Sequence, residues 1–133
     1  MKLAEVATAE LSTPTMVGIV PFISDGRCLF TDEPAIPRIA CNGDAKEDAA
    51  KGGAKHFGLE SGNMGANPFL GWQGQMKGQS GSYGIEVYAV LVKDGSKLHG
   101  TWLTRSEFDT KGPKSQTAIA DKIFDKVEAY LKE

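Results

Sequence analysis

The chain has 133 residues, the length of one ordinary domain, so we expect residues 1–133 to fold as a single domain. Its apolar content of 41% and charged content of 24% are those of a soluble globular protein. A net charge of −2 gives no field that would attract nucleic acid, and the longest apolar run, residues 87–92, is too short to span a membrane. The first residues, MKLAEVATAELSTP, lack the apolar segment of a secretory signal. We therefore expect a cytoplasmic protein, or a periplasmic one if Met1 replaces a removed signal peptide.

The start of the chain predicts a helix followed by a hairpin. Apolar residues at helical spacing predict a short helix over residues 2–11, which ends before Pro14. Residues 17–31 contain two apolar runs on either side of Asp25-Gly26, which is the signal of a tight turn between two antiparallel strands.

A middle helix is predicted over residues 45–57. Asp44 and Glu47 form a capping-box pattern at its start, because each side chain can satisfy a free N–H group of the first turn. Gly52 and Gly53 inside this helix each cost about 1 kcal/mol relative to alanine. Either the helix is frayed there or something packs very close to it.

The second half of the chain predicts three antiparallel strands and a closing helix. A glycine-rich strand lies within residues 58–84, and residues 85–92, apolar on both faces, predict a central strand. The segment 93–96 contains a second Asp-Gly pair and predicts a turn, so that residues 97–105 would return as the third strand. Apolar residues at helical spacing over 115–132 predict the last helix.

This order of elements predicts an α+β fold. We expect a single antiparallel sheet with two Asp-Gly hairpins, covered by the N-terminal, middle and C-terminal helices. Alternation along the glycine-rich strand predicts that Leu70 and Trp72 lie on the same face of this sheet.

No catalytic, cofactor-binding or metal-ligating set is recognisable in the sequence. No GxxxxGK[ST] or GxSxG motif is present, and neither His56 nor His99 has a companion at ligand spacing. We therefore expect a protein that is not an enzyme and has no cofactor or metal. Cys28 and Cys41 are expected to be small buried hydrophobic residues in a reducing compartment.

Basic residues cluster around the second predicted turn and the start of the last helix. They are Lys93, Lys97, Arg105, Lys111 and Lys114. A solvated surface is the ordinary explanation of such a cluster. The alternative is a docking patch for an acidic protein partner, to which long-range attraction would guide the protein.

Four stretches follow one another as they do in a known family. They are VPFISDGRCLFTDEPAIP, the predicted helix at 44–57, SGNMGANPFLGWQGQMKGQSG and KVEAYLKE. In order and size they resemble the profilins, small proteins that bind actin monomers. The resemblance implies a profilin-like fold and a non-catalytic interaction domain that binds a protein partner, with actin as the candidate, through the basic residues. Of the family's aromatic groove for proline-rich segments only Tyr130 is kept, so such segments are not expected as partners.

A second resemblance competes with the first. VGIVPF, GQMKGQSGSYGIEVYAVLVKD and QTAIADKIFDKV look like parts of the amino-terminal domain of TolB, which implies a cell-envelope interaction domain. Parallel pairing of residues 17–22 with a later strand, across a helix, would favour this alternative. A small-ligand-binding protein or an enzyme of related architecture is the third interpretation.

Overall fold

The structure is a computed structural model that describes residues 15–78 and 81–133, and the helix predicted over residues 2–11 lies outside them. Its strands are β1 (Met16–Phe22), β2 (Cys28–Phe30), β3 (Arg38–Ala40), β4 (Phe69–Gly78), β5 (Gly81–Leu91) and β6 (Thr101–Leu103). Its helices are α1 (Ala45–Phe57), α2 (Arg105–Lys111) and α3 (Lys114–Lys132). Among the described residues, no helix is both long and apolar enough to cross a membrane.

The six strands form one mixed sheet in the order β4-β5-β1-β2-β6, with β3 also paired to β1. The predicted α+β class, a single sheet covered by helices, is confirmed. The sheet is not wholly antiparallel, however, because β1 and β5 run parallel from Met16 opposite Ile85 to Phe22 opposite Leu91. This pair occupies the centre of the sheet.

Only one of the two Asp-Gly segments is a hairpin. Around Asp25-Gly26, Ile23 N donates to Arg27 O at 3.1 Å, and Phe22 pairs antiparallel with Cys28, as predicted. The second prediction is wrong, because β5 already has β4 on one side and β1 on the other. The returning segment therefore crosses the sheet and pairs with β2 as β6.

The predicted strand over residues 97–105 is also shorter than expected. Residues 95–97 form a 3₁₀ turn, and α2 begins directly after β6. A capping box starts α2, since Glu107 N donates to Thr104 Oγ1 at 3.3 Å and Thr104 N donates to Glu107 Oε1 at 2.8 Å. The sequence pattern Thr-x-x-Glu carries this signal.

The strands β1 and β5 are buried on both faces, which explains their continuous apolar sequences. One face, packed under α2 and α3, buries Val20, Phe22, Val87 and Ala89 among others. The opposite face, packed under α1, buries Val17, Ile19, Tyr88 and Val90 among others.

A bulge in β4 places one side chain on the face of the sheet opposite to the predicted one. The register shifts between Leu70 and Trp72, so that Leu70 pairs with Tyr88 whereas Trp72 pairs with Val87. The two residues therefore face opposite sides of the sheet, and the prediction of a shared face is wrong. Leu70 is 37% exposed, whereas Trp72 packs against the core beneath α3.

The two glycines of α1 lie where the helix approaches its neighbours closely. A Cβ at Gly53 would lie 3.1 Å from Leu59 Cδ2, and one at Gly52 would lie 3.5 Å from Ile39 Cδ1. The helix is continuous through both positions. Close packing, rather than fraying, is therefore the reason for this pair.

Candidate functional site

The carboxyl ends of the two parallel strands meet at one edge of the sheet, which we call the carboxyl edge. The segment after β1 holds Asp25-Gly26, and the segment after β5 holds Asp94-Gly95. Val92 N donates to Phe22 O at 2.9 Å, and this bond joins the two segments where they leave the strands. Ligands of open sheets commonly bind outside the carboxyl ends of parallel strands, and the described cavities have residues from these segments in their walls.

The first cavity, here called the α2–α3 groove, has a volume of about 560 Å³ and lies between the β1–β2 turn, the start of α2 and the end of α3. Phe124 and Leu131 supply apolar surface. The rest of the lining includes the hydroxyl groups of Ser24, Thr104 and Ser106 and the charged groups of Asp25, Arg105, Glu128 and Lys132. The lining therefore offers apolar contact beside hydrogen-bonding groups of several kinds.

Arg105 is held in this groove by carboxylates of α3. Its Nη2 lies 2.8 Å from Asp125 Oδ1 and 3.2 Å from Glu128 Oε2. Partial burial acts to lower the pKa of Arg105, but the hydrogen bonds to Asp125 and Glu128 outweigh it and raise the pKa. The guanidinium also lies 5.6 Å from the centroid of the Phe124 ring. Its charge is thus neutralised within the protein, and the side chain fastens α2 to α3.

The turn at the mouth of the groove is fixed by a second ion pair. Asp25 accepts from Arg27 N at 3.0 Å and from Arg27 Nε at 2.9 Å. The backbone N–H of Arg27 is the main cause that lowers the pKa of Asp25, since it favours the charged carboxylate. The groove consequently has a carboxylate that is already paired with Arg27 beside the hydroxyl of Ser24.

The second cavity, here called the lysine cavity, has a volume of about 370 Å³ and lies between the end of β5 and the loop after α1. Its lining consists of Gly58, Glu60, Gly62, Asn63, Lys93, Asp94 and Lys97. Asp94 N donates to Asn63 Oδ1 at 2.8 Å, and Asn63 Nδ2 donates to Asp94 O at 3.0 Å. These reciprocal bonds join the two loops that form the cavity walls.

The predicted basic partner-binding residues lie in the two cavities and at the connection between α2 and α3. Lys93 and Lys97 line the lysine cavity, and Arg105 lines the α2–α3 groove. Lys111 ends α2 and Lys114 begins α3; both are exposed and line neither cavity.

Tyr130, which is half-buried, belongs to an aromatic cluster. Its ring stacks on Phe69 at 5.1 Å between centroids and meets Phe22 edge-on at 5.6 Å. This arrangement gives the side chain a packing role beneath the carboxyl edge, where β1 ends and β4 begins.

A third polar group lies between the start of α1 and β5. Tyr88 Oη donates to Glu86 Oε1 at 2.7 Å, and burial raises the pKa of Tyr88, so that the phenol stays protonated. Asp48 is only 7% exposed and accepts from Asn42 N at 2.8 Å. Tyr88 and Asp48 thus each have a hydrogen-bond partner, which favours a structural role for both.

The two cysteines are free thiols, and Cys28 is buried as expected. Cys41 is half-buried, and burial is the first cause that raises its pKa, so its sulfur is not activated as a thiolate nucleophile. In residues 15–78 and 81–133, no cluster of three or more histidine, cysteine or acidic side chains has an arrangement that could hold a metal ion.

No protein-family model matches the sequence, and no curated protein matches it. Among solved structures, a protein of Sinorhizobium meliloti 1021 with a proposed oxidoreductase assignment matches with a TM-score of 0.59 and 18% identity. The match covers 95% of this chain but 43% of that protein, so this chain spans less than half of its length. The DNA mismatch repair protein MutT, a Nudix hydrolase from methicillin-resistant Staphylococcus aureus 252, matches with a TM-score of 0.51 and 14% identity over 85% of this chain and 96% of that one.

At these identities the likeness shows the fold alone, yet it corrects the functional predictions. Both neighbours carry enzyme descriptions, and neither is a profilin or a TolB domain. The predictions of a non-catalytic, actin-binding domain and of a non-enzyme are therefore contradicted. The four stretches that resembled profilin are a hairpin, two helices and a glycine-rich strand, which other α+β folds also contain.

Proposed function

We propose that the protein binds a small organic molecule in the α2–α3 groove. The observation that carries this proposal is the groove's volume of about 560 Å³, together with its mixture of apolar and polar lining. Small-molecule sites typically have volumes of roughly 300–1,000 Å³, with apolar walls and a few placed polar groups.

The groove also favours one kind of ligand. The apolar part of the ligand would lie against Phe124 and Leu131, while its polar part would meet the hydroxyl groups of Ser24, Thr104 and Ser106. Because Arg105 is already paired with carboxylates, we do not expect it to supply the main attraction for a strongly charged ligand. An uncharged molecule that has both a ring and hydroxyl or amide groups suits this lining.

Catalysis on the bound molecule is a second candidate function. It is supported by the two structural neighbours, a protein with a proposed oxidoreductase assignment and a Nudix hydrolase. A compound that binds in the groove would therefore be incubated with the protein and followed by NMR for chemical change.

The experiment is a binding screen of small polar ring compounds, followed by ¹H–¹⁵N NMR. Saturable shifts should concentrate at the β1–β2 turn, the start of α2 and the end of α3. Ser106→Trp should abolish binding because the indole would occupy the groove, whereas Thr110→Trp, on the same helix but outside the lining, should bind normally. Shifts elsewhere on the sheet, or equal effects of both variants, would overturn the proposal.

A further inference from the structure

The lysine cavity is separate from the α2–α3 groove, since the two have no lining residue in common. We propose that it binds the phosphate group of a small molecule. This proposal goes beyond the one for the groove and does not depend on it.

The first reason is the state of the two lysines. Within residues 15–78 and 81–133, neither Lys93 nor Lys97 has a carboxylate at ion-pair distance. Both line one cavity of about 370 Å³, where the charge of Lys97 also acts on the carboxylate of Asp94. An anion bound in the cavity could accept a charge-assisted hydrogen bond from each lysine.

The second reason is that the cavity is preorganised. Besides the reciprocal bonds between Asn63 and Asp94, Lys93 N donates to Asn63 O at 2.8 Å. Three hydrogen bonds thus fix the spacing of the loops before any ligand arrives. Binding to such a rigid cavity costs little ordering of the protein.

The third reason is the space beside Gly62. A Cβ added at this glycine would meet no heavy atom within 4 Å, so the wall there is open. The backbone of Gly62 does not have a positive φ, and larger residues can therefore adopt its conformation. The lining at Gly62 therefore presents backbone and open space rather than a side chain.

Two carboxylates, those of Glu60 and Asp94, also line the cavity. Their effect on the binding of an anion provides a test of the proposal. Asp94 Oδ1 already accepts from Ser96 Oγ at 2.6 Å and from Ser96 N at 3.1 Å, so its charge is partly satisfied within its own turn. Glu60 has no such partner among the described residues and would oppose an anion. Removing the charge of Glu60 should consequently strengthen binding.

The test is a titration with inorganic pyrophosphate, followed by ¹H–¹⁵N NMR at constant ionic strength maintained with chloride. We expect saturable shifts at residues 58–63 and 93–97. Lys93→Gln and Lys97→Gln should each weaken binding about tenfold, as expected for the loss of one hydrogen bond to a charged group. Glu60→Gln should tighten it, and Gly62→Phe should block it.

Lys111→Gln is the matched control, because this exposed lysine lies outside the cavity. It should leave the pyrophosphate affinity unchanged. The proposal fails if the shifts do not saturate, if Lys111→Gln weakens binding as much as the cavity variants do, or if Glu60→Gln has no effect. Thermal unfolding of every variant identifies any that does not fold, and the remaining substitutions then decide the outcome.

Discussion

Asn63 and Asp94 form two reciprocal hydrogen bonds, in which the backbone N–H and C=O of Asp94 both pair with the side-chain amide of Asn63. The two residues belong to separate loops, one after α1 and one after β5. The pair is the cross-link that holds the lysine cavity together.

We expect Asn63→Ala to lower the free energy of unfolding by about 1–2 kcal/mol, since two hydrogen bonds are lost and water replaces them only in part. Urea denaturation of the variant measures this change. Asn67→Ala is the control, because Asn67 is exposed and has no hydrogen bond in the described part of the chain. Equal stability of the two variants would show that the cross-link contributes nothing.

Gly52 and Gly53 should respond differently to the same substitution. Alanine favours a helix by about 1 kcal/mol over glycine at either position. At Gly52 the new Cβ would make ordinary contact with Ile39 at 3.5 Å, whereas at Gly53 it would lie 3.1 Å from the buried Leu59. We expect Gly52→Ala to be neutral or stabilising and Gly53→Ala to be the less stable of the two. Thermal melts of the pair test this order, and the reverse order would contradict the close approach to Leu59.

His56 should make the protein less stable as the pH falls. Burial is the main cause that lowers its pKa from the ordinary value of 6.5, and its Nε2 has no hydrogen-bond partner among the described residues. The unfolded chain therefore binds a proton at a pH where the folded chain does not. The stability conferred by neutral His56 is complete above pH 6.5 and is lost as the pH falls from there toward the lowered pKa.

Urea denaturation between pH 7.5 and about pH 5 checks this prediction, since carboxylates titrate mainly below that range. His56→Gln should remove most of the slope, because glutamine does not titrate. His99→Gln is the control, since His99 is exposed. A slope that persists in His56→Gln would assign the pH dependence to other groups.

The contribution of the capping box at the start of α2 to the free energy of unfolding should be measurable with a single substitution. Thr104→Ala removes the acceptor for Glu107 N, and we expect it to lower the free energy of unfolding by about 1 kcal/mol. Thr110→Ala, an exposed change in the same helix, should have little effect. Chemical denaturation compares the two, and equal midpoints would mean that α2 is held only by its packing on α3.

Local signals predicted much of the fold. The turn at Asp25-Gly26, the cap at Asp44 and the stripe of α3 depend on neighbours within a few residues, and the structure contains all three. The capping box at Thr104 and Glu107 is an equally local signal, and it could have predicted α2.

Strand pairing could not be predicted in the same way. Apolar residues on both faces mark β1 and β5 as central, but nothing in either sequence says that they lie side by side or run parallel. The bulge that moves Leu70 to the other face falls at Gly71, and a glycine within a strand is a signal of a bulge, but Gly74 and Gly78 in the same strand carry the same signal. These features depend on the whole sheet rather than on one segment.

In the candidate sites too, local sequence identified some residues, whereas others became evident only from the fold. Charge alone identified Lys93 and Lys97, whereas Asn63 and Glu60 lie in a glycine-rich segment that carries no motif. Only the fold brings the two segments together. Arg105 was identified by its charge too, but the carboxylates that neutralise it became evident only when α2 was seen to pack on α3.

The parallel pairing of β1 and β5 also determines the order in which this protein can fold during synthesis. β1 leaves the ribosome before β5, and the centre of the sheet cannot form until Met16 can pair with Ile85 and Phe22 with Leu91. Contacts between such distant parts of a chain form slowly, because a long loop must close first. A nascent chain that ends before β5 therefore exposes an apolar strand that is buried on both faces in the finished protein, and a chaperone would have an extended segment to hold until the second half arrives.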